Sequence, residues 1–192
     1  MQKTLKYAIF KTKWGYFGLA GTADGLLRTH LPWPQRGRVR SQLLINLPAG
    51  QYDGTFFESV QQRIADYFEG GCVNFDDVGV VLDGFSWFGH SVLTACRDIA
   101  FGQTISYGRF AKRLARGRAG RAVGTVLAKN PLPLIIPCHR VVCSNGKIGG
   151  FSAIGAVALK ARLLDHERKY SLAVAGLPSV ASAKEGTETT TI

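Results

Sequence analysis

An apolar run, Leu132, Leu134, Ile135 and Ile136, stops at Pro137 and gives way to Cys138-His139-Arg140 before apolar character resumes at Val141-Val142. A proline biases the residue before it toward extended backbone and supplies no N–H, so regular structure must break just ahead of the sulfur. The pattern predicts a buried segment that presents Cys138 at the end of a strand. A cysteine beside a histidine can become a thiolate at neutral pH, because imidazole can take its proton directly or through a water. Alone, such a pair also describes a small buried hydrophobe next to a histidine. The surrounding residues decide between these readings.

The charge distribution points to a polyanionic partner. The chain has 192 residues and a net charge of +11, from 24 Lys+Arg and 13 Asp+Glu. Between Ile99 and Leu164 there is no acidic residue, yet the stretch carries eleven basic ones, among them Arg109, Lys112, Arg113, Arg116, Arg118, Arg121 and Lys160. The remaining residues hold 13 basic and 13 acidic side chains and are neutral together. The whole excess therefore sits on the segment that contains Cys138, which favours nucleic acid over a membrane surface.

No run of 18 apolar residues occurs, so no transmembrane helix is expected. The N-terminus shows no signal-peptide pattern. Cys72, Cys96, Cys138 and Cys143 have irregular spacing and suit a reducing compartment. The four histidines show no metal-ligand spacing, so a zinc site is left open without support and no metal ligand is assigned.

Two parts are expected, with a boundary at Asp83-Gly84: an N-terminal α/β domain over 1–83 and a mostly helical domain over 84–170. Residues 5–31 read as a β-meander, and Pro32 to Tyr52 as a loop-rich connection. Phe57, Val60, Ile64 and Tyr67-Phe68 predict a helix over 55–69 ended by Gly70-Gly71. Val78–Leu82 is a strand candidate. Ser86 and Ser106 are N-cap candidates for helices reaching Ala100 and Ala115. Helices over 119–129 and 156–168 follow, and residues 171–192 read as a disordered tail. The helix over 119–129 is unusual, because Ala119, Gly120, Ala122, Val123 and Gly124 are all small. Each glycine costs a helix about 1 kcal/mol against alanine. Tight helix packing explains it, and so does a slim helix that enters a minor groove about 6 Å wide. In the second case Arg121 is the one long side chain able to reach the base stack.

Taken together, Tyr107, Arg121-Ala122-Val123-Gly124, Asn130-Pro131, Pro137-Cys138-His139-Arg140-Val141, Gly146, Gly149-Gly150, Lys160, Leu163-Leu164 and Glu167 resemble the O6-alkylguanine-DNA alkyltransferase (methylated-DNA–protein-cysteine methyltransferase) family. The match covers roughly residues 86–168. It implies an α/β (α+β) chain, with a ribonuclease-H-like antiparallel sheet and helices followed by a winged-helix, helix-turn-helix-like domain. It also implies cofactor-free repair: an alkyl group on guanine O6 in double-stranded DNA passes once, irreversibly, to Cys138. O4-alkylthymine is a second candidate substrate. A monomer is expected, in the cytoplasm at the nucleoid, or in the nucleus of a eukaryote.

The resemblance also assigns roles. His139 is the general base through a water, and Glu167 orients it and stabilises its charge. A plain carboxylate near a helix end is the other reading of Glu167. A base inside a duplex must be flipped out to react. Arg121 then fills its place, with Ala119, Gly120, Ala122, Arg118 and Arg109 in the DNA contact. Arg121 as a phosphate contact is the alternative. Tyr107 pushes the target phosphate and donates to the leaving guanine; otherwise it is a core aromatic. Asn130 bridges the recognition helix to the cysteine segment, or merely forms a turn. Ser152 and the Val141 carbonyl bind the base, and Phe151, Gly149 and Gly150 form the pocket wall.

Some positions depart from the family pattern. Gly89 and Leu93 replace a common glutamine and tryptophan, and Ala100-Phe101-Gly102 replaces a proline-containing turn. The 151–156 loop lacks the usual double glycine, which bears on alkyl size. Two other classes fit this pattern less well. A lesion-flagging module commonly has tryptophan at the cysteine position, which Cys138 opposes. A winged-helix transcription factor needs base-reading side chains along its recognition helix, and the small residues do not supply them.

Overall fold

The structure is a computed structural model and describes residues 4–115, 117, 119–144, 147–150 and 156–174. Strands β1 (Lys6–Thr12), β2 (Gly15–Thr22) and β3 (Gly25–Trp33) form the expected meander. The stretch read as a loop-rich connection instead holds a helix, α1 (Arg36–Leu43), and a short strand, β4 (Gln51–Tyr52). Helix α1 has little intrinsic amphipathic pattern. It forms because Val39 and Leu43 are buried on the outer face of the sheet against Tyr7, Ile9 and Ala20. That tertiary contact outweighs the proline, glycine and arginine content that argues for a loop. The sheet order is β3-β2-β1-β4, with β4 parallel to β1 and the other pairs antiparallel.

Helix α2 (Glu58–Glu69) starts three residues later than expected and ends at Gly70, whose φ of +110° suits only glycine. Val80 makes only an isolated bridge to Leu26, so Val78–Leu82 is not a strand. Helix α3 (Trp87–Arg97) is capped by the Ser86 side chain, which accepts from the Gly89 N–H at 3.2 Å. A short strand, β5 (Ile105–Ser106), leads into α4 (Tyr107–Arg113), capped by Ser106, and α5 (Gly120–Leu127) follows. Cys138–Arg140 form one turn of 3-10 helix, and β6 (Val141–Val142) pairs in parallel with β5. Cys138 therefore sits in a helical turn that leads into a strand, not at a strand's end. Helix α6 (Ala156–Val174) extends past the expected stop, so residues 171–174 are helical rather than tail. Tyr170 packs its ring on His166 at 4.9 Å, which holds that extra turn.

The inner face of the sheet, α2 and the C-terminal helices share one core. It runs from Phe17 and Leu26 through Tyr67 and Phe68 to Val123, Leu132, Ile136 and Leu163, across the Asp83-Gly84 boundary. Main-chain contacts reinforce it: the Thr29 N–H donates to the Pro131 carbonyl at 3.0 Å, and the Thr29 hydroxyl to the Pro133 carbonyl at 2.8 Å. Strand β3 thus grips the segment that leads to Cys138. No helix among the described residues is long and apolar enough to cross a membrane.

Candidate active site

The segment from Asn130 to Pro137 is a buried loop. The Ile136 N–H donates to the Leu132 carbonyl at 2.8 Å, and Leu134 is held at φ +80°. A leucine in that region is strained and persists only where its surroundings fix it. Asn130 is the fixing residue. Its Nδ2 donates to the Ile136 carbonyl at 2.9 Å and to Cys138 Sγ at 3.1 Å, while its Oδ1 accepts from the Leu132 N–H at 3.0 Å. Asn130 is therefore more than a turn former: one side chain shapes the loop and touches the sulfur.

Cys138 forms part of the wall of a cavity of about 510 Å³. Tyr107 of α4, Gly120, Arg121, Gly124, Leu127 and Ala128 of α5 or its end, and Gly150 line the same space. A Cβ added at Gly120 or Gly124 would meet nothing closer than 3.7 or 3.6 Å, which is ordinary contact. Helix packing alone thus leaves room for alanine, and the glycines are explained by the open side of α5. Gly149 is different. Its φ is +78°, and a Cβ there would lie 3.1 Å from Cys143 Sγ and 3.2 Å from Tyr107 Cε2. Only glycine lets that loop close against Tyr107.

Behind Cys138 lies a buried polar network. His139 is fully buried, and its Nε2 lies 2.8 Å from Glu167 Oε1. Burial pushes the His139 pKa down and outweighs the pull of Glu167, so the ring is neutral. Nε2–H then donates to Glu167, and Nδ1 keeps its lone pair. Nδ1 is buried and makes no hydrogen bond among the described residues. Burial opposes the charge on Glu167, yet hydrogen bonds and positive charge around it hold its carboxyl well below the usual range. Arg140 is the fixed charge in that set: its Nε donates to Oε2 and its Nη2 to Oε1, both at 2.9 Å. Tyr67 donates its hydroxyl to Oε1 at 2.9 Å and the Gly102 N–H reaches Oε2 at 3.0 Å.

Lys160 is also fully buried. Its Nζ donates to the Val141 carbonyl at 2.6 Å and to the Gly150 carbonyl at 3.3 Å, and lies 3.5 Å from the Tyr107 hydroxyl. Burial raises the Cys138 thiol above its ordinary range, while the Asn130 hydrogen bond, the Lys160 charge and nearby backbone amides favour the thiolate. The site therefore holds a protonated nucleophile with thiolate stabilisers in place and a neutral imidazole beside it in sequence. That is the chemistry of a cysteine nucleophile activated by a base that a carboxylate orients.

Of the residues singled out from sequence, Cys138, Tyr107, Arg121, Gly120, Asn130, Gly149 and Gly150 gather at the cavity or its wall, and His139 and Glu167 back it. The Val141 carbonyl is engaged by Lys160 and has a second lone pair for a base amine. Arg121 and Ala122 are exposed on α5, and Ala119 stands at its N-cap. Arg109 is exposed on α4 and lines a separate cleft with Asp98 and Arg113 rather than the Cys138 cavity. Arg118, Phe151 and Ser152 lie outside the described residues. Among the described residues, no three His, Cys, Asp or Glu side chains cluster to hold a metal ion.

Sequence reasoning gave no role to Tyr67, Arg140 or the Gly102 N–H, and none to Lys160 beyond its place in the pattern. Signals for two of them existed. Lys160, Leu163 and Glu167 share one face of α6, so an inward leucine carries a lysine and a glutamate inward with it. Tyr67 sits on the apolar face of α2, and a buried tyrosine needs a partner for its hydroxyl.

Residues 87–169 match the family described as 6-O-methylguanine DNA methyltransferase, DNA binding domain. A methylated-DNA–protein-cysteine methyltransferase of Methanosarcina acetivorans is 33% identical over 148 residues, 77% of this chain and 89% of the relative. The Salmonella typhimurium protein of the same name is 38% identical over 141 residues, 71% of this chain and 81% of the relative. The crystal structure of Mycobacterium tuberculosis OGT in complex with DNA superposes with a TM-score of 0.71 at 30% identity, covering 86% of this chain and 94% of that one. With this fold, this cavity and relatives aligned over most of their length, the chain belongs to the methylated-DNA–protein-cysteine methyltransferase family.

Proposed function

We propose that this chain repairs O6-alkylguanine in double-stranded DNA by a single, irreversible transfer of the alkyl group to Cys138. The observation that carries the reading is the shared cavity: the thiol held by Asn130 opens onto the same space as Arg121 and the glycine face of α5. A base swung out of the stack has room there, and α5 lies beside it to occupy the groove.

His139 Nδ1 takes the Cys138 proton through a water, and Glu167 holds the ring and offsets the imidazolium charge. The thiolate attacks the alkyl carbon, an S–C bond forms and the C–O6 bond breaks. The departing electron pair stays on guanine O6, where the Tyr107 hydroxyl donates a hydrogen bond or its proton. The Lys160 ammonium beside that hydroxyl favours the negative charge so produced. A thioether has no ready leaving group, so each chain acts once. Arg121 fills the gap left by the flipped base, and the Val141 carbonyl accepts from the guanine amine. Phe151 and Ser152 belong to the pocket wall in this reading, and Arg118 and Arg109 to the phosphate contacts flanking α5. O4-alkylthymine presents a similar exocyclic oxygen and is the second substrate to try. The chain is read as a monomer that works wherever the chromosome lies, in the cytoplasm or in a nucleus.

The test is to mix the protein with a duplex that carries one O6-methylguanine and weigh the intact chain. A gain of about 14 Da, one methylene, mapped to Cys138 is expected for thiol methylation. No gain together with tight lesion-specific binding would move the chain to the lesion-flagging class.

A further inference from the structure

Helix α1 carries a second cationic surface. Between Asp24 and Asp53 the sequence has no acidic residue and four arginines, Arg28, Arg36, Arg38 and Arg40. The neutrality of the chain outside residues 99–164 is thus an average that conceals a local excess. Arg28 is spent on the end of α1, donating to the Leu43 and Ile45 carbonyls. The other three are exposed and form no ion pair among the described residues.

Each of the three stands over an aromatic ring. The guanidinium carbon of Arg38 lies 4.6 Å from the Trp33 ring centre, that of Arg36 lies 5.2 Å from Tyr52, and that of Arg40 lies 5.9 Å from Tyr7. Stacking fixes a guanidinium by its flat face and leaves edge N–H groups for another acceptor. Arg40 spends one of them on the Tyr7 hydroxyl. Lys11, also exposed, joins the same cross-strand row as Trp33 through Tyr16. These cations flank α1 on both sides over the outer face of the sheet, with no ion pair among the described residues, and such a cluster suits the phosphates of a nucleic-acid backbone.

This surface and α5 lie on opposite sides of the sheet. Val39 and Leu43 of α1 pack on the outer face, whereas Val123 and Leu127 of α5 belong to the core under the inner face. We propose that the α1 face binds the phosphate backbone of a DNA segment other than the one at Cys138, so that one chain bridges two segments. That the segment is a second one rests on the proposed role of α5. A chain already held on DNA meets a second segment at high effective concentration, so even weak arginine–phosphate contacts count. That argument favours DNA over an acidic protein as the occupant.

The experiment uses the full chain. Undamaged duplex is fixed to beads, protein is bound, and capture of a second, fluorescent duplex is measured. Wild type should capture it. The double variant Arg36→Ala, Arg38→Ala should lose most of that capture yet methylate at Cys138 from an O6-methylguanine duplex to the same extent. Its slope of log affinity against log salt should fall by about 1.8, close to 0.9 for each phosphate contact removed. Arg36→Lys, Arg38→Lys should keep part of the capture, since the charge is retained while the stacked guanidinium geometry is lost. Equal capture by wild type and the alanine variant overturns the proposal, as does loss in both variants alike, or stronger capture of polyglutamate or anionic vesicles than of DNA. Capture without methyl transfer would instead strike the reading of Cys138.

Discussion

Tyr67 on α2 and Glu167 on α6, one hundred residues apart in sequence, meet through a buried 2.9 Å hydrogen bond from the phenol to Oε1, the same oxygen that faces His139. The N-terminal half thereby directly touches the carboxylate that faces His139. Removing the phenol should leave Glu167 a stronger acceptor, raise the His139 pKa and shift the acid limb of the rate profile to higher pH. Tyr67→Phe is expected to show that shift, with a stability loss of about 1.5–3 kcal/mol for a hydrogen bond to a charged group. Rates of transfer between pH 5 and 8 provide the check; an unmoved limb means the phenol is only packing.

Glu167→Gln should be far more damaging. It leaves the Arg140 guanidinium buried without its carboxylate, a change that costs about 3–5 kcal/mol. Urea unfolding would measure it, and a loss below 1 kcal/mol would contradict the network described here.

Acid should destabilise the protein over two pH ranges. His139 has a depressed pKa in the folded state, so the unfolded chain binds the proton more readily. Its contribution is present above the ordinary histidine value of 6.5 and is lost as pH falls below it. Glu167 is also depressed, so its contribution is complete above the ordinary 4.5 and disappears as pH drops further toward its folded value. Unfolding free energies at pH 7.5, 6, 5 and 4 should decline throughout and steepen at the end.

Asn130→Ala removes the donor to Cys138 Sγ and one prop of the strained Leu134 loop. A hydrogen bond to a developing thiolate is worth about 2 kcal/mol, so transfer should slow roughly thirty-fold. Single-turnover kinetics on a lesion duplex would measure this.

Arg121→Ala should weaken repair in duplex DNA far more than reaction with a free O6-alkylguanine base. The free base needs the cavity but no flipping. Equal losses on both substrates would remove Arg121 from the flipping step.

How far the sequence disclosed all this depends on the range of the interactions involved. The meander, the serine caps of α3 and α4 and the helical period of α2 are local, and local spacing reveals them. Helix α1 was hidden because its stability comes from two residues pressed on a distant sheet face. Cys138, His139 and Glu167 were legible through their chain pattern. Tyr67 and the Gly102 N–H were not, because their roles exist only once α2, α6 and the 100–102 turn converge. Lys160 and Arg140 were visible as charges flanking apolar positions, but burial gave them their partners.

The grip of β3 on the nucleophile loop uses mostly atoms that every sequence possesses. A main-chain N–H from Thr29 and the carbonyls of Pro131 and Pro133 do the holding, with a single hydroxyl added. A coupling made of backbone places little demand on which side chains decorate it. Strand β3 can therefore change most of its side chains while still holding the loop that carries the sulfur. It follows that a family signature confined to residues 87–169 can coexist with a superposition that spans 86% of the chain.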